Sequence, residues 1–306
     1  MSAWNFDSIP SQSGRTAIVT GANTGIGYET ARALARKGAA VVLACRDLQK
    51  ATAAAERILA EHPVGSVQPQ ALDLSDLDSV RRFAEHFTAE HTRLDLLINN
   101  AGVMVPPQSQ TKQGFELQLG TNHLGHFALT GHLLPLLRRT PGSRLVVVSS
   151  GAHHMGRIDF ADLQFAQRGY SAWAAYCQSK LANLLFAQEL QRRLAAAGAD
   201  TIVTAAHPGW TATDLQRTAF FARLINPLFA MKPPQGALPT LRAATDPEGR
   251  GGDYFGPKHF FEMTGPPVRA RLNRRARDLA VAAQLWTTSE SLTGVHYDLP
   301  APTAAA

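Results

Sequence analysis

The stretch Thr20-Gly21-Ala22-Asn23-Thr24-Gly25-Ile26-Gly27 decides the fold class of this sequence. It follows an apolar, β-branched run and precedes apolar residues at helical spacing, so it joins a predicted strand to a predicted helix. Glycines at such a junction allow a tight turn and let backbone N–H groups approach a pyrophosphate, which a helix N-terminus also attracts. This position predicts a dinucleotide-binding loop, with a structural glycine turn as the alternative. The predicted ligands are Gly21, Asn23, Thr24, Gly25, Ile26 and Gly27.

Predicted strands and helices alternate along the chain from this loop onward. Strands are predicted at residues 16–20, 40–44, 67–72, 94–99, 144–149 and 201–206, and helices near 26–37, 48–61, 76–91, 115–139 and 174–197. This alternation is typical of an α/β fold with a doubly wound, Rossmann-type parallel sheet and helices on both faces. We find no repeat or linker, so residues 1–306 are predicted to form one domain.

The composition is that of an ordinary globular protein. The chain has 30 Lys plus Arg against 24 Asp plus Glu, a net charge of +6 and 45% hydrophobic residues. Five arginines fall in the stretch 269–277, which contains no acid. We interpret this stretch as the solvated face of a helix; the alternative is a phosphate, acidic-substrate or membrane-surface site. No nucleic-acid motif accompanies it, so no nucleic-acid partner is predicted.

The sequence predicts no membrane span, because no apolar run reaches the roughly 18 residues that a span needs. Its N-terminus lacks the basic start and apolar core of a signal peptide, so a cytoplasmic location is predicted. Cys45 and Cys177 are too few for a disulfide framework. Neither they nor the 11 histidines show a metal-ligand spacing, so no metal site is predicted.

Six motifs together resemble the short-chain dehydrogenase/reductase family. In chain order they are the G-x₃-G-x-G spacing of the loop, Asn99-Asn100-Ala101-Gly102, Asn122, Ser149-Ser150, Tyr176-Cys177-Gln178-Ser179-Lys180 and Pro208-Gly209. The stretch 286–295 looks most like the branch that contains retinol-dehydrogenase-like and WW-domain-oxidoreductase-like enzymes. The resemblance implies a nicotinamide-dependent oxidoreductase that acts on a carbonyl or alcohol carbon of a small molecule. It also implies a homodimer or homotetramer that pairs through the helices at 115–139 and 174–197.

Tyr176 and Lys180 are four residues apart, so on a helix they share one face and can act on one ligand. A tyrosine hydroxyl with its ordinary pKa of about 10 exchanges protons poorly near neutrality. A nearby ammonium and an oxidised nicotinamide favour the phenolate, so we expect a lowered pKa for Tyr176. The family resemblance implies that Tyr176 is the general acid or base and that Tyr176 and Lys180 both bind the cofactor, Lys180 at the nicotinamide ribose.

The resemblance assigns the substrate oxygen to Ser150 and leaves Ser149 to satisfy backbone groups. Asn122 resembles the family's fourth catalytic residue, which holds a water that links the lysine to solvent; a buried structural asparagine is the alternative. Further cofactor ligands implied by the resemblance are Asp73, Leu74, Asn99, Ala101, Gly102, Pro208, Gly209, Thr211 and Thr213. Asp73 and Thr213 could instead cap helices.

The end of the second predicted strand indicates which nicotinamide cofactor is used. An acidic side chain there would bond the ribose 2′-hydroxyl of NAD, whereas an arginine would pair with the 2′-phosphate of NADP. This sequence has Cys45 followed by Arg46. We therefore predict NADP(H) rather than NAD(H), with Arg46 as the phosphate ligand; a solvent-facing arginine is the alternative.

The interval between Ser150 and Tyr176 is 25 residues, longer than in the commonest family members. Residues 153–173 are therefore predicted to form a loop over the site, and residues 214–265 a lid. The apolar side chains of the loop are Met155, Ile158, Phe160, Leu163, Phe165 and Trp173. They predict a bulky lipophilic substrate, unless they anchor the loop to the core.

Two other functions stay open. The first is an inactive dinucleotide-sensing or interaction protein, which would not need all four catalytic residues. The second is an NADPH-dependent carbon–carbon double-bond reductase. The family's enoyl reductases usually place tyrosine and lysine farther apart, so the Tyr-x₃-Lys spacing favours carbonyl chemistry.

Overall fold

The computed structural model describes residues 3–211 and 231–302, so Thr213 lies outside the described residues. In these ranges the strands are β1 (Thr16–Thr20), β2 (Ala40–Cys45), β3 (Ser66–Ala71), β4 (Leu96–Asn99), β5 (Arg144–Val148), β6 (Ile202–Ala206), β7 (Tyr254–His259) and β8 (Thr264–Arg269). The α-helices are α1 (Gly25–Arg36), α2 (Leu48–Leu59), α3 (Leu77–Glu90), α4 (Leu117–Leu119), α5 (Gly125–Arg139), α6 (Ala172–Ala196), α7 (Pro233–Thr245) and α8 (Leu279–Thr293). Within the described ranges, no helix combines the length and the apolar character needed to cross a membrane.

These strands form one sheet in the order β3-β2-β1-β4-β5-β6-β7-β8. Neighbouring strands run parallel from β3 to β7, and β8 runs antiparallel to β7 at the edge. The order of the first six strands confirms the predicted doubly wound fold. Strand order reverses between β1 and β4, so a crevice opens at the carboxyl ends of these two strands.

Helices cover both faces of the sheet, because successive side chains of a buried strand point to opposite sides. On one face Val19 and Ile98 pack with residues of α1, α2 and α7. On the other face Ile18 and Leu97 pack with residues of α3, α5, α6 and α8. All four strand residues are fully buried, which fixes the crevice between two rigid layers.

The helix predicted at 115–139 has one irregularity. The short α4 continues through a π-helical segment, Gly120–Leu124, into α5. The π segment contains Asn122, so the widened turn occurs at a predicted catalytic residue.

β7 and β8 have no counterpart among the predicted strands. Prolines interrupt both, with Pro257 in β7 and Pro266 and Pro267 in β8, and the ladder between them shifts register near Pro257. Proline lacks an N–H donor and is tolerated near sheet edges and irregularities, so such strands resemble turns in sequence. Residues 214–230 of the predicted lid lie outside the described residues. Of the rest of that segment, residues 233–259 lie mainly in α7 and β7, which pack on or within the sheet, so the lid stays a prediction.

The arginine stretch 269–277 does not form the predicted helix face. Arg269 ends β8 and pairs with Asp253 at 3.0 Å, and a short 3₁₀ turn covers Arg275–Arg277. Arg275 also donates to the backbone oxygen of Gly156 at 2.9 Å. Two of the five arginines therefore make specific structural contacts.

α8 lies across α5 and α6, the helices through which the family resemblance implies pairing of copies. The Trp286 ring of α8 contacts Phe127 of α5 and Phe186 of α6, with centroids 5.3 and 6.1 Å apart. The Tyr297 hydroxyl donates to the backbone oxygen of Phe127 at 2.6 Å. This aromatic cluster gives α5 and α6 an intramolecular cover. Pairing of two copies stays a prediction. It would use the surfaces of α5 and α6 that this cluster does not cover.

Candidate active site

A cavity of about 850 Å³ opens at the carboxyl ends of the parallel strands. It runs from the loop after β1 to the turn between β7 and β8. Every predicted site residue within the described ranges lines it, except Asn99 and Asn122. A concave site at this edge of an α/β sheet is the usual place for a ligand.

Three glycines of the loop between β1 and α1 present backbone without side chains to one side of the cavity. Gly21 and Gly25 have φ of 66° and 59°, in the left-handed region that favours glycine. An added Cβ at Gly21 would come within 2.9 Å of Ala101, and one at Gly27 within 2.5 Å of the Gly21 oxygen. We call Gly21, Gly25 and Gly27 the glycine wall. It offers an anion the N-terminus of α1 without a side chain in the way.

Thr20 and His126 tie the glycine wall to the neighbouring strand, and sequence reasoning missed both. The Thr20 hydroxyl oxygen accepts the N–H groups of Asn100 and Ala101, both at 2.9 Å. His126 Nδ1 lies 3.0 Å from the Asn122 carbonyl oxygen, so it carries the proton, and Nε2 accepts from Thr20 at 2.9 Å. Burial lowers the pKa of His126 to about 4 and keeps it neutral. These contacts join distant segments, so no local pattern reveals them.

Cys45 and Arg46 place a cation at the end of β2. Burial raises the pKa of the Cys45 thiol to about 11, so this side chain is neutral. Arg46 is exposed and lines the cavity. The neighbouring Asp47 caps α2 by accepting the N–H of Lys50 at 3.1 Å, and it pairs with the Lys50 ammonium at 3.1 Å. The cavity therefore meets a cation here, while the adjacent acid is engaged with α2.

Asp73 and Leu74 line the cavity after β3. The Asp73 carboxylate accepts the N–H and the hydroxyl of Ser75 at 2.9 and 2.6 Å. Asp76, and not Asp73, caps α3 by accepting the N–H of Asp78. The alternative reading of Asp73 as a helix cap is therefore wrong.

Asn99 and Asn100 divide between core and cavity, because adjacent strand residues point to opposite sides. Asn99 is buried, and its amide donates to the Thr130 hydroxyl at 2.9 Å. Asn100 lines the cavity, and its amide donates to the Thr20 backbone oxygen at 2.8 Å. The structure thus places Asn100, which was not among the predicted ligands, where Asn99 was expected.

Tyr176 and Lys180 share one face of α6, as their spacing predicts, and both line the cavity. Lys180 Nζ lies 5.8 Å from the centre of the Tyr176 ring and donates to the Val148 backbone oxygen at 3.3 Å. Burial raises the pKa of Tyr176 to about 12, opposed by its hydrogen bond with Ser150. Burial has this effect because removal from water disfavours the phenolate. The lowering expected when an oxidised nicotinamide is bound stays a prediction. Burial also lowers the pKa of Lys180 to about 8.

Ser149 and Ser150 take separate roles. The Ser149 hydroxyl is buried and donates to the Lys180 backbone oxygen at 2.7 Å. The Ser150 side-chain oxygen accepts the N–H of Ala152 at 3.2 Å and is also hydrogen-bonded with Tyr176. Ser150 is thus the serine that meets the tyrosine in the cavity.

Asn122 lies beneath the cavity lining and is fully buried. Its amide oxygen accepts the N–H of Val103 at 2.7 Å, and its amide nitrogen donates to the Val103 carbonyl and the Ser179 hydroxyl, both at 3.0 Å. An added Cβ on Gly102 would come within 3.1 Å of the Asn122 oxygen and 3.5 Å of Lys180 Nζ. Asn122 therefore fixes the chain after β4 beside the lysine. The water that the resemblance assigns to it stays a prediction.

The loop 153–173 lines less of the cavity than predicted. Met155 and Trp173 line it and are 60% and 44% exposed. The other four apolar side chains are buried or pack against the core, namely Ile158, Phe160, Leu163 and Phe165. For these four the anchoring alternative holds.

The turn between β7 and β8 forms another part of the cavity lining, far along the sequence from the glycine loop. Phe261, Glu262 and Met263 line the cavity there, and they belong to the described part of the segment predicted to form a lid. We call Met155, Trp173, Phe261 and Met263 the apolar wall. Pro208, Gly209 and Thr211 line the cavity after β6, where the Thr211 hydroxyl donates to the Pro208 oxygen at 2.8 Å.

Known proteins resemble this chain in sequence and in fold. The family model for short chain dehydrogenases matches residues 15–222. Human retinol dehydrogenase 11 is 45% identical over 288 residues, which cover 93% of this chain and 87% of the relative. A solved structure of an uncharacterized Mycobacterium paratuberculosis protein is 45% identical, with a TM-score of 0.82, and the match covers 97% of this chain and 100% of that one. The Pseudomonas aeruginosa RhlG/NADP active-site complex is 27% identical, with a TM-score of 0.62, covering 80% and 94% of the two chains.

Proposed function

The chain belongs to the short-chain dehydrogenase family as a retinol-dehydrogenase-like oxidoreductase, and we propose that it uses NADP(H) to interconvert a carbonyl and an alcohol on a lipophilic small molecule. One arrangement carries this proposal. Ser150 is hydrogen-bonded with Tyr176, and Lys180 lies beside them, in a cavity that also contains the glycine wall and the apolar wall.

The residues of the cavity fit a nicotinamide dinucleotide. The glycine wall is a cradle that an added Cβ would fill at Gly21 and Gly27, and the N-terminus of α1 favours a pyrophosphate. Asp73 and Leu74 would hold the adenine end of the dinucleotide. The segment that follows β6, beginning at Pro208, would hold its nicotinamide end. When bound, the dinucleotide supplies or accepts the hydride.

Arg46 favours NADP(H) over NAD(H). A guanidinium forms strong paired hydrogen bonds with a phosphate, and the neutral Cys45 thiol next to it offers no charge to repel one. The RhlG structure, which contains NADP by its description, supports the same choice for this chain.

Tyr176 acts as the proton donor in carbonyl reduction. With a pKa of about 12 it is protonated at neutral pH, so its hydroxyl can give a proton to a carbonyl oxygen in the cavity. Ser150 donates a hydrogen bond to the same oxygen and stabilises the negative charge that develops there. The Lys180 ammonium stabilises the phenolate that remains. The protonated form of Tyr176 is thus the form that carbonyl reduction requires.

The apolar wall favours a lipophilic substrate. Its four side chains give an apolar body a surface to cover, while Ser150 and Tyr176 fix the polar carbonyl. The relatives named as retinol dehydrogenases support a hydrophobic carbonyl or alcohol for this chain as well.

The variant Tyr176→Phe tests the proposal. We expect kcat for reduction of a lipophilic aldehyde by NADPH to fall about 10²- to 10⁴-fold, because the proton donor is lost. The NADPH Kd, measured by fluorescence titration, should stay within about twofold of the parent. Tyr28→Phe is the matched control, since the Tyr28 ring lies under Arg57 and outside the cavity lining. A folded Tyr176→Phe variant with near-parental turnover contradicts the assignment.

The same assay separates the two alternative functions. Tight NADPH binding without turnover on aliphatic aldehydes, ketones, quinones and retinal would favour the inactive sensor. A product that gains two hydrogen atoms but keeps its carbonyl absorbance would identify a double-bond reductase. Loss of the carbonyl absorbance supports the proposed reaction.

A further inference from the structure

The turn between β7 and β8 has a strained backbone beside the cavity. Phe260, Phe261 and Glu262 have φ of 50°, 54° and 64°, in a region that side chains with a Cβ disfavour. Such a turn persists only where its surroundings determine it. Phe260 and Phe261 are 76% and 97% exposed, so their side chains do not hold it. The contacts that hold the turn come from Glu262 and Met263.

Glu262 and Met263 tie the turn to the chain after β6. The Glu262 carboxylate lies 3.0 Å from His207 Nε2, and the Met263 carbonyl oxygen accepts the N–H of Trp210 at 2.9 Å. The backbone at Gly209 packs so closely on Met263 that an added Cβ would overlap the same carbonyl oxygen. The turn therefore rests on the segment proposed to hold the nicotinamide.

The hydrogen-bond geometry makes His207 the donor in its contact with Glu262. Its Nδ1 accepts the N–H of Gly209 at 3.3 Å, so Nε2 carries the proton and donates to Glu262. The ring is 2% exposed, and an added Cβ on Gly256 would overlap it, so the donor is fixed. The contact therefore needs an acceptor oxygen at position 262, where the Glu262 carboxylate also accepts the backbone N–H of Arg271.

From this geometry we propose that Glu262 is a positioning residue for substrate selection. Its bond to His207 latches the turn so that Phe261 and Met263 stay in the apolar wall. This inference rests on the proposed function and narrows it to carbonyl compounds with a long apolar chain. A long apolar chain offers more surface than a short one for contact with Phe261 and Met263 in the apolar wall.

Two substitutions separate the hydrogen bond from the charge. Glu262→Ala removes the acceptor, and Glu262→Gln keeps a carbonyl oxygen that can accept from Nε2. With decanal and propanal as probes, we expect Glu262→Ala to raise the decanal KM about tenfold and the propanal KM less than about threefold. Its kcat should fall by less than about threefold, and Glu262→Gln should recover the decanal KM to within about threefold of the parent. Phe260→Ala is the control, because Phe260 is exposed and outside the cavity lining.

Amide hydrogen exchange tests whether the Glu262–His207 bond holds the turn, and it needs no activity assay. The Trp210 N–H that donates to Met263 should exchange faster in Glu262→Ala and at the parental rate in Glu262→Gln. Equal increases of KM for both aldehydes, or a Glu262→Gln variant as impaired as Glu262→Ala, would overturn the proposal. If the parent protein reduces neither these aldehydes nor the ketones, quinones and retinal named above, the proposed function fails, and the exchange rate of the Trp210 N–H then decides this proposal alone. Unchanged exchange in Glu262→Ala overturns the latch, and faster exchange supports it.

Discussion

The glycine wall and the apolar wall bound the same cavity but are built by opposite means. In the glycine wall the backbone is the surface, and Gly21 and Gly27 have no room for a Cβ. In the apolar wall side chains are the surface, and Phe261 and Met263 depend on a turn near the sheet edge. The first wall follows from the central strands β1 and β4, whereas the second depends on a few polar contacts.

This difference separates what the fold fixes from what it leaves variable. A backbone surface wedged between buried strands cannot change shape without moving a close-packed core, so the cofactor site is fixed with the fold. A side-chain surface on an edge turn changes with a single substitution, so substrate choice is free to vary. Adding atoms to the glycine wall and removing atoms from the apolar wall should therefore have very different effects.

The largest effect is expected at the glycine wall. Gly27→Ala places a Cβ within 2.5 Å of the Gly21 oxygen and of the Asn100 amide, so the loop has to shift. We expect the NADPH Kd to rise about 100-fold, since overpacking of this kind costs about 1–3 kcal/mol. Fluorescence titration measures the Kd, and thermal unfolding checks the fold. Gly169→Ala, where a Cβ meets open space, is the control. A Gly27→Ala variant with parental NADPH affinity would remove the distinction between the walls.

A pH profile of the reaction tests the role of Lys180, which lines the same cavity as both walls. Burial lowers the pKa of Lys180 to about 8, so the ammonium is present below that pH and lost above it. Tyr176, with its pKa of about 12, stays protonated over the same range. We expect kcat/KM for aldehyde reduction to fall about tenfold per pH unit above pH 8.

Lys180→Arg is the comparison for this profile. A guanidinium stays charged throughout, so the variant should be slower overall but lose the alkaline decline. A parental profile that is flat through pH 8, or the same decline in Lys180→Arg, would assign the titration elsewhere.

A smaller effect is expected at Arg46, where a side chain rather than backbone serves the cofactor end of the cavity. Arg46→Ala should raise the NADPH Kd about tenfold, which is about 1.4 kcal/mol, and leave the NADH Kd within about twofold. Lys50→Ala is the matched control, because Lys50 is exposed and paired with Asp47. Equal weakening of NADPH and NADH would count against a phosphate contact.

The smallest effect is expected at the apolar wall. Phe261→Ala should raise the decanal KM about threefold with the NADPH Kd unchanged, because Phe261 lines the cavity and no part of the glycine wall. Phe260→Ala should change neither value, since this neighbour is similarly exposed and outside the lining. Thermal unfolding of both variants should match the parent, because exposed side chains contribute little stability. A changed NADPH Kd in Phe261→Ala would show that the two walls are energetically coupled, and it would contradict this prediction.

Local sequence patterns were sufficient for the glycine wall and for the pairing of Tyr176 with Lys180. The run 16–20 is fully buried, so its apolar character marks the strand at its observed bounds. The four-residue spacing of Tyr176 and Lys180 determines a shared helix face whatever the surroundings. Both features depend on neighbours in sequence.

The rest depends on contacts between distant residues. His207 and Glu262 are 55 positions apart. The strands on either side of Glu262 contain prolines, so their sequences resemble turns. The choice between Asn99 and Asn100 depends on which face of β4 meets the cavity. The raised pKa of Tyr176 follows from burial, which only the folded chain creates.

Tyr297 closes the aromatic cluster that Phe127 begins, although 170 positions separate them. The N-terminus of a chain leaves the ribosome first, and N-terminal parts generally fold before C-terminal ones. In this protein α5 and α6 lack their cover until Trp286 and Tyr297 have been translated, so the nascent chain carries bare apolar helix faces until its synthesis is nearly complete. A chain that stops before Trp286 would keep those faces exposed, and exposed apolar patches promote aggregation.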